Sequence, residues 1–333
     1  MTRTALPAAP QLSVIIPTHA RAALLRQSLE SLRRQTLPAD QFEVIVIDDG
    51  SPDETDAVCR ALSADLPLRY FRIEHSGISA AKNLGIFAAR APVIFFFDDD
   101  DLASPALLAE HLATHAHYAE ESVAVLGHTT WAAGIRITPL MHFVTDIGQQ
   151  LFAYRDLADG AVLDFTYFWG GRSSCKRSLL AQHGIFNRRF RGIIEDIELG
   201  YRLSHFGLRV VYNRQAKSYM NRPVDLDAFC NRVERKGRSL YLLSQLHHDQ
   251  TIEQYCRVHE AMALWQRVKW LYRAQLQRAR ALEALQSANP ARPECDAERA
   301  ELWQLYQACF DALNAKGIVQ AATEDAQLRT AAV

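Results

Sequence analysis

The 333-residue chain lacks several features that mark specialised classes of protein. Its formal net charge is −1, so no overall field favours nucleic acid or an anionic lipid surface. No apolar run approaches the roughly 20 residues that a membrane-spanning helix needs, and Val93–Phe97 is only as long as a strand. The first ten residues hold one arginine and no long apolar stretch, so no signal peptide is expected.

Cysteine is present without any pattern of pairing. No two cysteines have the C-x-x-C spacing, so neither a zinc site nor a disulfide framework is predicted. We therefore expect reduced thiols in a cytosolic protein. The six cysteines lie at positions 59, 175, 230, 256, 295 and 309.

The first half of the chain alternates strand-length apolar runs with segments of helical periodicity. This alternation predicts an α/β fold with a parallel sheet and helices on both faces. The runs are continuous rather than alternating, as in strands that are buried on both sides. The predicted strands are Leu12–Ile16, Glu43–Ile47, Leu68–Ile73 and Val93–Phe97, and the helices between them are Arg21–Gln35, Asp53–Ser63 and Gly77–Ala89.

Glycine is missing from the first loop, where a dinucleotide-binding sheet requires it. Pro17–Arg21 contains none, so the G-x-G-x-x-G fingerprint is absent there. No G-x-x-x-x-G-K-[ST] occurs either. The sheet is therefore not expected to bind a nucleotide in the Rossmann or the P-loop manner.

Two acidic clusters follow predicted strands. Ser51 begins a pattern typical of a capping box, and Ser104-Pro105 marks a second helix start. These signals place Asp48-Asp49 and Asp98–Asp101 just beyond strand ends, at the edge where open α/β sheets bind ligands. Asp48-Asp49 either forms a plain turn or accepts hydrogen bonds from a base N–H or from ribose hydroxyls.

The four consecutive aspartates Asp98–Asp101 predict a metal site. Like charges packed this tightly need a compensating cation, and carboxylate oxygens suit Mg²⁺ or Mn²⁺. Such an ion usually binds one or two carboxylates together with substrate phosphates. The alternative is a solvated acidic turn in which Asp101 caps a helix.

The second half of the chain is less regular at first and then helical. We expect loops and short strands over Gly134–Thr166, and order from Arg172. The next elements are a helix at Glu195–Phe206 and strands at Leu208–Val211 and Lys217–Met220. From Asp225 the pattern is helical, with a long helix at Arg257–Leu285, a break at 289–293, a last helix at Ala297–Ala315 and a frayed tail after Gly317.

Five motifs occur in an order that resembles the family 2 glycosyltransferases with the GT-A fold. The resemblance covers about residues 12–220. It implies an α/β fold of GT-A type, with a mixed, mainly parallel sheet flanked by helices and a C-terminal helical extension. The motifs are Leu12–Thr18, Val46–Ser51, Gly77–Gly85, Phe97–Asp101 and Glu195–Leu203.

The resemblance implies a nucleotide site at the sheet edge. Within it, His19 would stack on the base and Asp48 or Asp49 would meet the base. Lys82 would stand near the diphosphate, where relatives often have arginine. The residues implied in nucleotide binding are Pro17, Thr18, His19, Arg21, Asp48, Asp49, Lys82, Asp98 and Asp99.

The resemblance also implies a metal site and a catalytic base. Asp100, with Asp98, would bind Mn²⁺ or Mg²⁺. Asp196 would deprotonate the acceptor, with Glu195 beside it. The alternative for this helix is surface charge, with Glu198 and Arg202 paired four residues apart. The chain departs from the pattern at Asn221, where many relatives have a histidine that helps to bind the metal.

These observations predict an inverting glycosyltransferase that moves a sugar from a nucleotide-sugar donor to a hydroxyl by metal-assisted single displacement. Asp48 can accept a hydrogen bond from a pyrimidine N–H, which favours a UDP-sugar, while GDP- and dTDP-sugars stay open. The acceptor is a saccharide, a lipid-linked sugar or a peptide, and no nucleic acid partner is expected. The alternatives are a sugar nucleotidyltransferase and an inactive nucleotide-sugar-binding scaffold. A nucleotidyltransferase needs a Gly-rich basic loop after the first strand, and Pro17–Arg21 supplies only Arg21.

The predicted domain organisation has one catalytic domain and a helical extension. The extension either buttresses the core, binds the acceptor, forms a homodimer, or contacts the inner face of a membrane from the cytoplasm. The bounds are a lead-in at 1–11, a GT-A domain at 12–223 with a nucleotide half (12–101) and an acceptor half (102–223), the extension at 224–316 and a tail at 317–333.

Overall fold

The computed structural model describes residues 9–288 and 296–331. Nine strands occur in these ranges: β1 (Leu12–Thr18), β2 (Phe42–Asp48), β3 (Leu68–Arg72), β4 (Val93–Phe96), β5 (Asp101–Ala103), β6 (Val123–Trp131), β7 (Val162–Leu163), β8 (Ser173–Lys176) and β9 (Arg209–Met220). The helices are α1 (Ala22–Leu32), α2 (Thr55–Leu62), α3 (Ile78–Ala88), α4 (Leu107–His117), α5 (Pro139–His142), α6 (Arg177–His183), α7 (Glu195–Ser204), α8 (Leu226–Leu246), α9 (Gln250–Cys256), α10 (Val258–Val268), α11 (Tyr272–Ala288) and α12 (Asp296–Ala331).

All strands belong to one mixed sheet. Its order is β3-β2-β1-β4-β8-β6-β9-β5, and β7 pairs with β9. The pairs β3-β2, β2-β1 and β1-β4 are parallel, whereas β8 is antiparallel to both of its neighbours. Every residue of β1 and β2 is buried, as their continuous apolar sequences predict. The predicted α/β class and the four N-terminal strands are confirmed.

Two local predictions and one alternative interpretation need correction. The helix predicted to begin with a capping box at Ser51 begins at Thr55, and the Ser51 hydroxyl instead accepts from the Ala20 N–H. Asp101 does not cap a helix, because it begins β5 and pairs with Met220. The two strands predicted at 208–211 and 217–220 are one strand, β9. Its partner β6 accommodates it through an irregularity at Gly127/His128.

The chain divides into two compact units. Among the described residues, the first comprises 9–136 and 154–222, and the second comprises 137–153, 223–288 and 296–331. The segment 137–153 therefore joins the C-terminal helices, although its position in sequence placed it in the predicted acceptor half. In the second unit, the predicted helix at Arg257–Leu285 is two helices, α10 and α11. The predicted break at 289–293 lies outside the described residues.

The second unit is held together where α8 and α12 approach closely at two glycines. A Cβ on Gly317 would lie 2.0 Å from the carbonyl oxygen of Glu234, and one on Gly237 would lie 2.0 Å from that of Asn314. Ile318 beside this contact is fully buried. The prediction of a frayed tail after Gly317 is wrong, because this glycine is a packing contact and α12 continues to Ala331. Among the described residues no helix has the length and apolar character needed to cross a bilayer.

We predict that Gly317→Ala destabilises the protein. In an unconstrained helix this change would stabilise by about 1 kcal/mol. Here the new methyl group overlaps a backbone oxygen that moves only if the helices separate, and overpacking costs about 1–3 kcal/mol. Urea unfolding followed by circular dichroism measures the net loss. Gln327→Ala, at an exposed position of α12, is the control and should change stability by less than about 0.5 kcal/mol. A more stable Gly317→Ala protein would contradict the close approach.

Candidate active site

The carboxyl ends of β1 and β4 bring the first loop against the four aspartates. Thr18 Oγ1 donates to Asp99 Oδ2 over 2.7 Å, and Arg21 Nη1 donates to Asp99 Oδ1 over 2.8 Å. Asp99 is buried, and that burial raises the pKa of its carboxyl to about 6 against the lowering effect of Arg21. Asp99, which the resemblance implied in nucleotide binding, is therefore buried and fixes the first loop to the sheet.

Three arginines neutralise the rest of the cluster. Arg222 Nε lies 2.5 Å from Asp100 Oδ2, and Arg21 Nη1 lies 3.5 Å from the same oxygen. Arg172 lies 3.5 Å from both Asp98 and Asp101. The charge balance that the sequence assigned to a metal is thus largely supplied by the chain. Sequence reasoning missed Arg172 and Arg222, because each meets the aspartates only through long-range folding.

Asp98 and Asp100 nevertheless fit a divalent cation. The Asp98 side chain is 30% exposed, whereas the side chains of Asp99, Asp100 and Asp101 are at most 4% exposed. The main chain of Gly171 passes so close that a Cβ there would lie 2.1 Å from Asp98 Oδ2. Within the described ranges no group of three acidic, histidine or cysteine side chains could hold a metal. Two carboxylates suit an ion whose remaining ligands are phosphates and water.

Asp48 and Asp49 hold the neighbouring loops. Both carboxylate oxygens of Asp48 are engaged, by the Ser51 N–H over 2.7 Å and the Tyr70 hydroxyl over 2.6 Å. Asp49 accepts from the N–H groups of Ser76 and Gly77, at the start of α3. Both aspartates are buried, so the structure does not place Asp48 where a base would reach it.

Two histidines form an exposed aromatic pair at the same edge. His19 and His75 have ring centroids 4.4 Å apart, and each Nδ1 donates to the carbonyl oxygen of Asp49. Pro17, which was expected to line the base with His19, is buried within β1. His75 was not expected in the site. It follows β3, and its position became informative only when the fold placed it beside His19.

Lys82 lies in a buried ion pair rather than at an open edge. Its ammonium is 2.9 Å from Glu195 Oε1, and its side chain is only 2% exposed. Burial opposes the charge, but Glu195 and Asp196 outweigh burial and raise the pKa of Lys82. A Cβ on Gly170 would lie 2.6 Å from this ammonium and 3.1 Å from Asp196 Cβ, so a larger residue there would require the Lys82 side chain to shift.

Asp196 projects from the first turn of α7 towards Gly170 and Gly171. Its Oδ2 accepts from the Gly170 N–H and its Oδ1 from the Ile197 N–H, each over 2.8 Å. Burial, followed by the charge of Glu195, raises the pKa of Asp196 to about 6, against the opposing effect of Lys82. Asp196 thus lies beside Gly170, and Asp98 lies beside Gly171, so both acidic motifs approach the same two residues of the backbone.

Two neighbouring residues have structural partners. Glu198 pairs with Arg202 over 2.9 Å, as the four-residue spacing predicts. The Asn221 amide donates to Gln27, while its backbone N–H donates to the Asp100 carbonyl. Arg222, not Asn221, thus directs its side chain to the carboxylate of Asp100.

Comparison with known proteins identifies the family. The model of glycosyl transferase family 2 matches residues 13–183. Two similar proteins are the validoxylamine A glucosyltransferases of Streptomyces hygroscopicus subsp. jinggangensis and subsp. limoneus, at 33% and 32% identity over 262 residues each. The match covers 69% of this chain and 62% and 58% of those proteins. The chain therefore spans about three fifths of the length of these relatives.

Solved structures share the fold at low sequence identity. The mannosyltransferase PcManGT of Pyrobaculum calidifontis, in complex with GDP-Man and Mn²⁺, superposes with a TM-score of 0.61 at 20% identity, over 95% of this chain and 88% of that one. S. aureus TarS 1–349 in complex with UDP gives 0.54 at 16% identity, over 91% and 90%. The GT-A type of fold expected from the motifs is confirmed.

We predict that Lys82 and Glu195 are strongly coupled in stability. Removing one partner of a buried pair leaves the other charge uncompensated, at a cost of about 3–5 kcal/mol. Lys82→Met and Glu195→Gln should each destabilise on that scale, and the double variant should cost clearly less than their sum. Urea unfolding of the wild type, both single variants and the double variant at pH 7 gives the coupling free energy of this double-mutant cycle.

The exposed pair of Arg60 and Asp56 on α2 is the matched control for this cycle. Its coupling should be below about 0.5 kcal/mol. Additive losses at Lys82 and Glu195 would show that the ion pair does not hold this part of the site.

Proposed function

The chain belongs to glycosyl transferase family 2, and we propose that it transfers a sugar from a nucleoside diphosphate sugar to an acceptor hydroxyl, with inversion, in a single displacement assisted by Mn²⁺ or Mg²⁺. The observation that carries the proposal is that Asp98 and Asp196 lie against two adjacent glycines, Gly171 and Gly170. One carboxylate belongs to the nucleotide motif, and the other has a pKa suited to a base near neutral pH.

The nucleotide half of the proposed catalytic domain is 12–101, and the acceptor half is 102–223 apart from 137–153, which belongs to the second unit. The nucleobase of the donor would stack on the rings of His19 and His75. This pair is exposed, and hydrogen bonds to the Asp49 carbonyl hold it in place. The prediction of a UDP-sugar rested on Asp48, whose oxygens are engaged within the chain. One structural neighbour is in complex with UDP and another with GDP-Man. We therefore propose a nucleoside diphosphate sugar, with UDP-sugars tested first.

Asp98 and Asp100 would hold the divalent ion, which when bound neutralises charge on the departing diphosphate. Arg21 and Arg222 stand at Asp100 and are 41% and 39% exposed, so they can turn to phosphate oxygens. Lys82, which was predicted to do this, is buried and paired. In the proposed mechanism Arg21 and Arg222 supply cationic charge to the leaving group. The charge of Lys82 limits the rise in the pKa of Asp196.

Asp196 acts on the acceptor. A free lone pair on its carboxylate takes the proton of the acceptor hydroxyl as that oxygen bonds to the anomeric carbon. The bond from the anomeric carbon to the diphosphate oxygen breaks, and the nucleoside diphosphate leaves with its electrons. The N–H groups of Gly170 and Ile197 hold the carboxylate in place without occupying all of its lone pairs.

The two relatives described above are named for glucosyl transfer, which supports a hexosyl group as the cargo. A sugar nucleotidyltransferase has no support from the family match. An inactive scaffold would bind the donor without turning it over.

We predict metal-dependent turnover of a nucleoside diphosphate sugar. Purified protein with Mn²⁺ should release nucleoside diphosphate from at least one member of a panel of UDP-, GDP- and dTDP-sugars. EDTA should abolish release, and Mn²⁺ or Mg²⁺ should restore it. Isothermal titration calorimetry should show that Asp100→Asn weakens diphosphate binding when Mn²⁺ is present. Asp40→Asn, an exposed aspartate, is the control. Full turnover in EDTA would remove the metal from the proposal, and donor binding without turnover would favour the scaffold.

We predict that Asp196→Asn lowers transfer by at least about 10²-fold, the usual contribution of a positioned base. The donor Kd should stay nearly unchanged, because the base acts on the acceptor. Asp196 must be deprotonated to work, and its pKa is raised to about 6. Wild-type transfer should therefore be full above that pH and fall about tenfold per unit below it. An acidic limb near pH 4, or a variant of wild-type rate, would place the base elsewhere. Loss of donor binding in the variant would make Asp196 structural.

A further inference from the structure

The turn between α10 and α11 carries an exposed aromatic and aliphatic pair. Trp270 is 81% exposed and Leu271 is 58% exposed. They are adjacent in sequence, and Arg267 and Arg273, which flank them, are also exposed. We call Arg267, Lys269, Trp270, Leu271 and Arg273 the basic tip. Because burying two adjacent large apolar side chains is favourable, the pair is a candidate contact surface.

The charge around the pair is of one sign. Residues 261–282 contain no aspartate or glutamate. Lys269 Nζ lies 5.3 Å from the centre of the Trp270 ring and donates to Gln266. Arg273 Nε donates to the Tyr272 hydroxyl over 3.2 Å. Arg267, Lys269 and Arg273 have no acidic partner among the described residues.

Other cations of the same unit differ in this respect. Arg278 pairs with Glu301, Arg280 with Asp227, and Lys316 with Glu234. The unit therefore has acids available for ion pairs, yet supplies none to the basic tip. Because the chain as a whole has a net charge of −1, the excess positive charge at the tip is local.

We propose that the basic tip docks on an anionic lipid surface. Tryptophan is enriched at membrane interfaces, where its ring sits at the level of the headgroups. Leu271 would enter the acyl boundary beside it, and the three cations would meet lipid phosphates. The combination suits reversible contact with the surface, and it is independent of whether the chain transfers sugar.

Two other occupants fit less well. A second copy bound about a two-fold axis at Trp270 would place Arg267, Lys269 and Arg273 against their own equivalents, and like charges repel across such a contact. Single-stranded nucleic acid would suit the tryptophan and the cations. It gives Leu271 no aliphatic environment, however, because a single strand offers base faces and phosphates.

Sedimentation with sucrose-loaded vesicles tests the proposal on the full chain without any donor. The wild type should bind phosphatidylcholine vesicles containing 30% phosphatidylglycerol, roughly the content of a strongly anionic membrane, and should be released by salt. Trp270→Ala/Leu271→Ala should weaken partitioning by at least about tenfold. Arg267→Gln/Lys269→Gln/Arg273→Gln should weaken it about a hundredfold, or roughly fivefold per cation.

Matched controls separate the tip from general effects. Phe87 on α3 is 73% exposed, so Phe87→Ala removes a comparable exposed aromatic ring elsewhere. Arg238→Gln/Arg299→Gln/Arg329→Gln makes the same change in net charge at arginines that have acidic partners. Both controls should bind vesicles like the wild type, and thermal unfolding should confirm that every variant is folded.

Several outcomes would overturn the proposal. Equal binding to neutral and anionic vesicles, or binding to neither, would remove the anionic surface as the occupant. A dimer in sedimentation velocity that is lost in Trp270→Ala/Leu271→Ala would assign the tip to a second copy. Tip-dependent binding of a fluorescent single-stranded oligonucleotide, with no vesicle binding, would assign it to nucleic acid.

Discussion

Four consecutive carboxylates at the end of a strand repel one another, so they can be buried against a sheet only if cationic side chains neutralise them. Arg21 comes from the first loop, Arg172 precedes β8, and Arg222 follows β9. Each arginine arrives from a different strand connection, so the cluster ties three distant parts of the first unit to the end of β4. The mixed strand order matters here, since β8 lies next to β4 and brings Arg172 with it.

The same connection before β8 organises the second acidic motif. Gly170 and Gly171 lack a Cβ, which lets the backbone pass between Asp98 on one side and Lys82 with Asp196 on the other. A side chain at Gly171 would overlap the carboxylate of Asp98, and one at Gly170 would overlap the ammonium of Lys82. Lys82 forms an ion pair with Glu195, and its positive charge limits the rise in the pKa of Asp196. The pKa of the proposed base is therefore set by packing as much as by charge.

Much of the fold follows from the sequence alone, because local pattern carries it. The continuous apolar runs of β1 and β2 predict buried parallel strands, and the acidic ends of β2 and β4 fall at the expected edge. Motif order also predicts the family that the match identifies. The predictions that are wrong concern residues whose contacts come from distant parts of the sequence. Ser51 has the pattern of a capping residue, but it binds Ala20 across the edge. Gly317 has the pattern of a helix end, but it is the contact between α8 and α12.

The site, too, has features that residue type predicts and features that only the fold shows. Both affect how the proposed cation would bind. Residue type predicts that Asp98 and Asp100 suit a divalent ion, but only the fold shows that Asp100 already faces Arg21 and Arg222. A cation arriving alone must displace or repel these guanidinium groups, and it finds two carboxylates at most. A diphosphate supplies both further ligands for the ion and new partners for the arginines. The proposed mechanism therefore calls for joint binding of ion and nucleotide, in which the arginines would move from carboxylate to phosphate and bring positive charge to the leaving group.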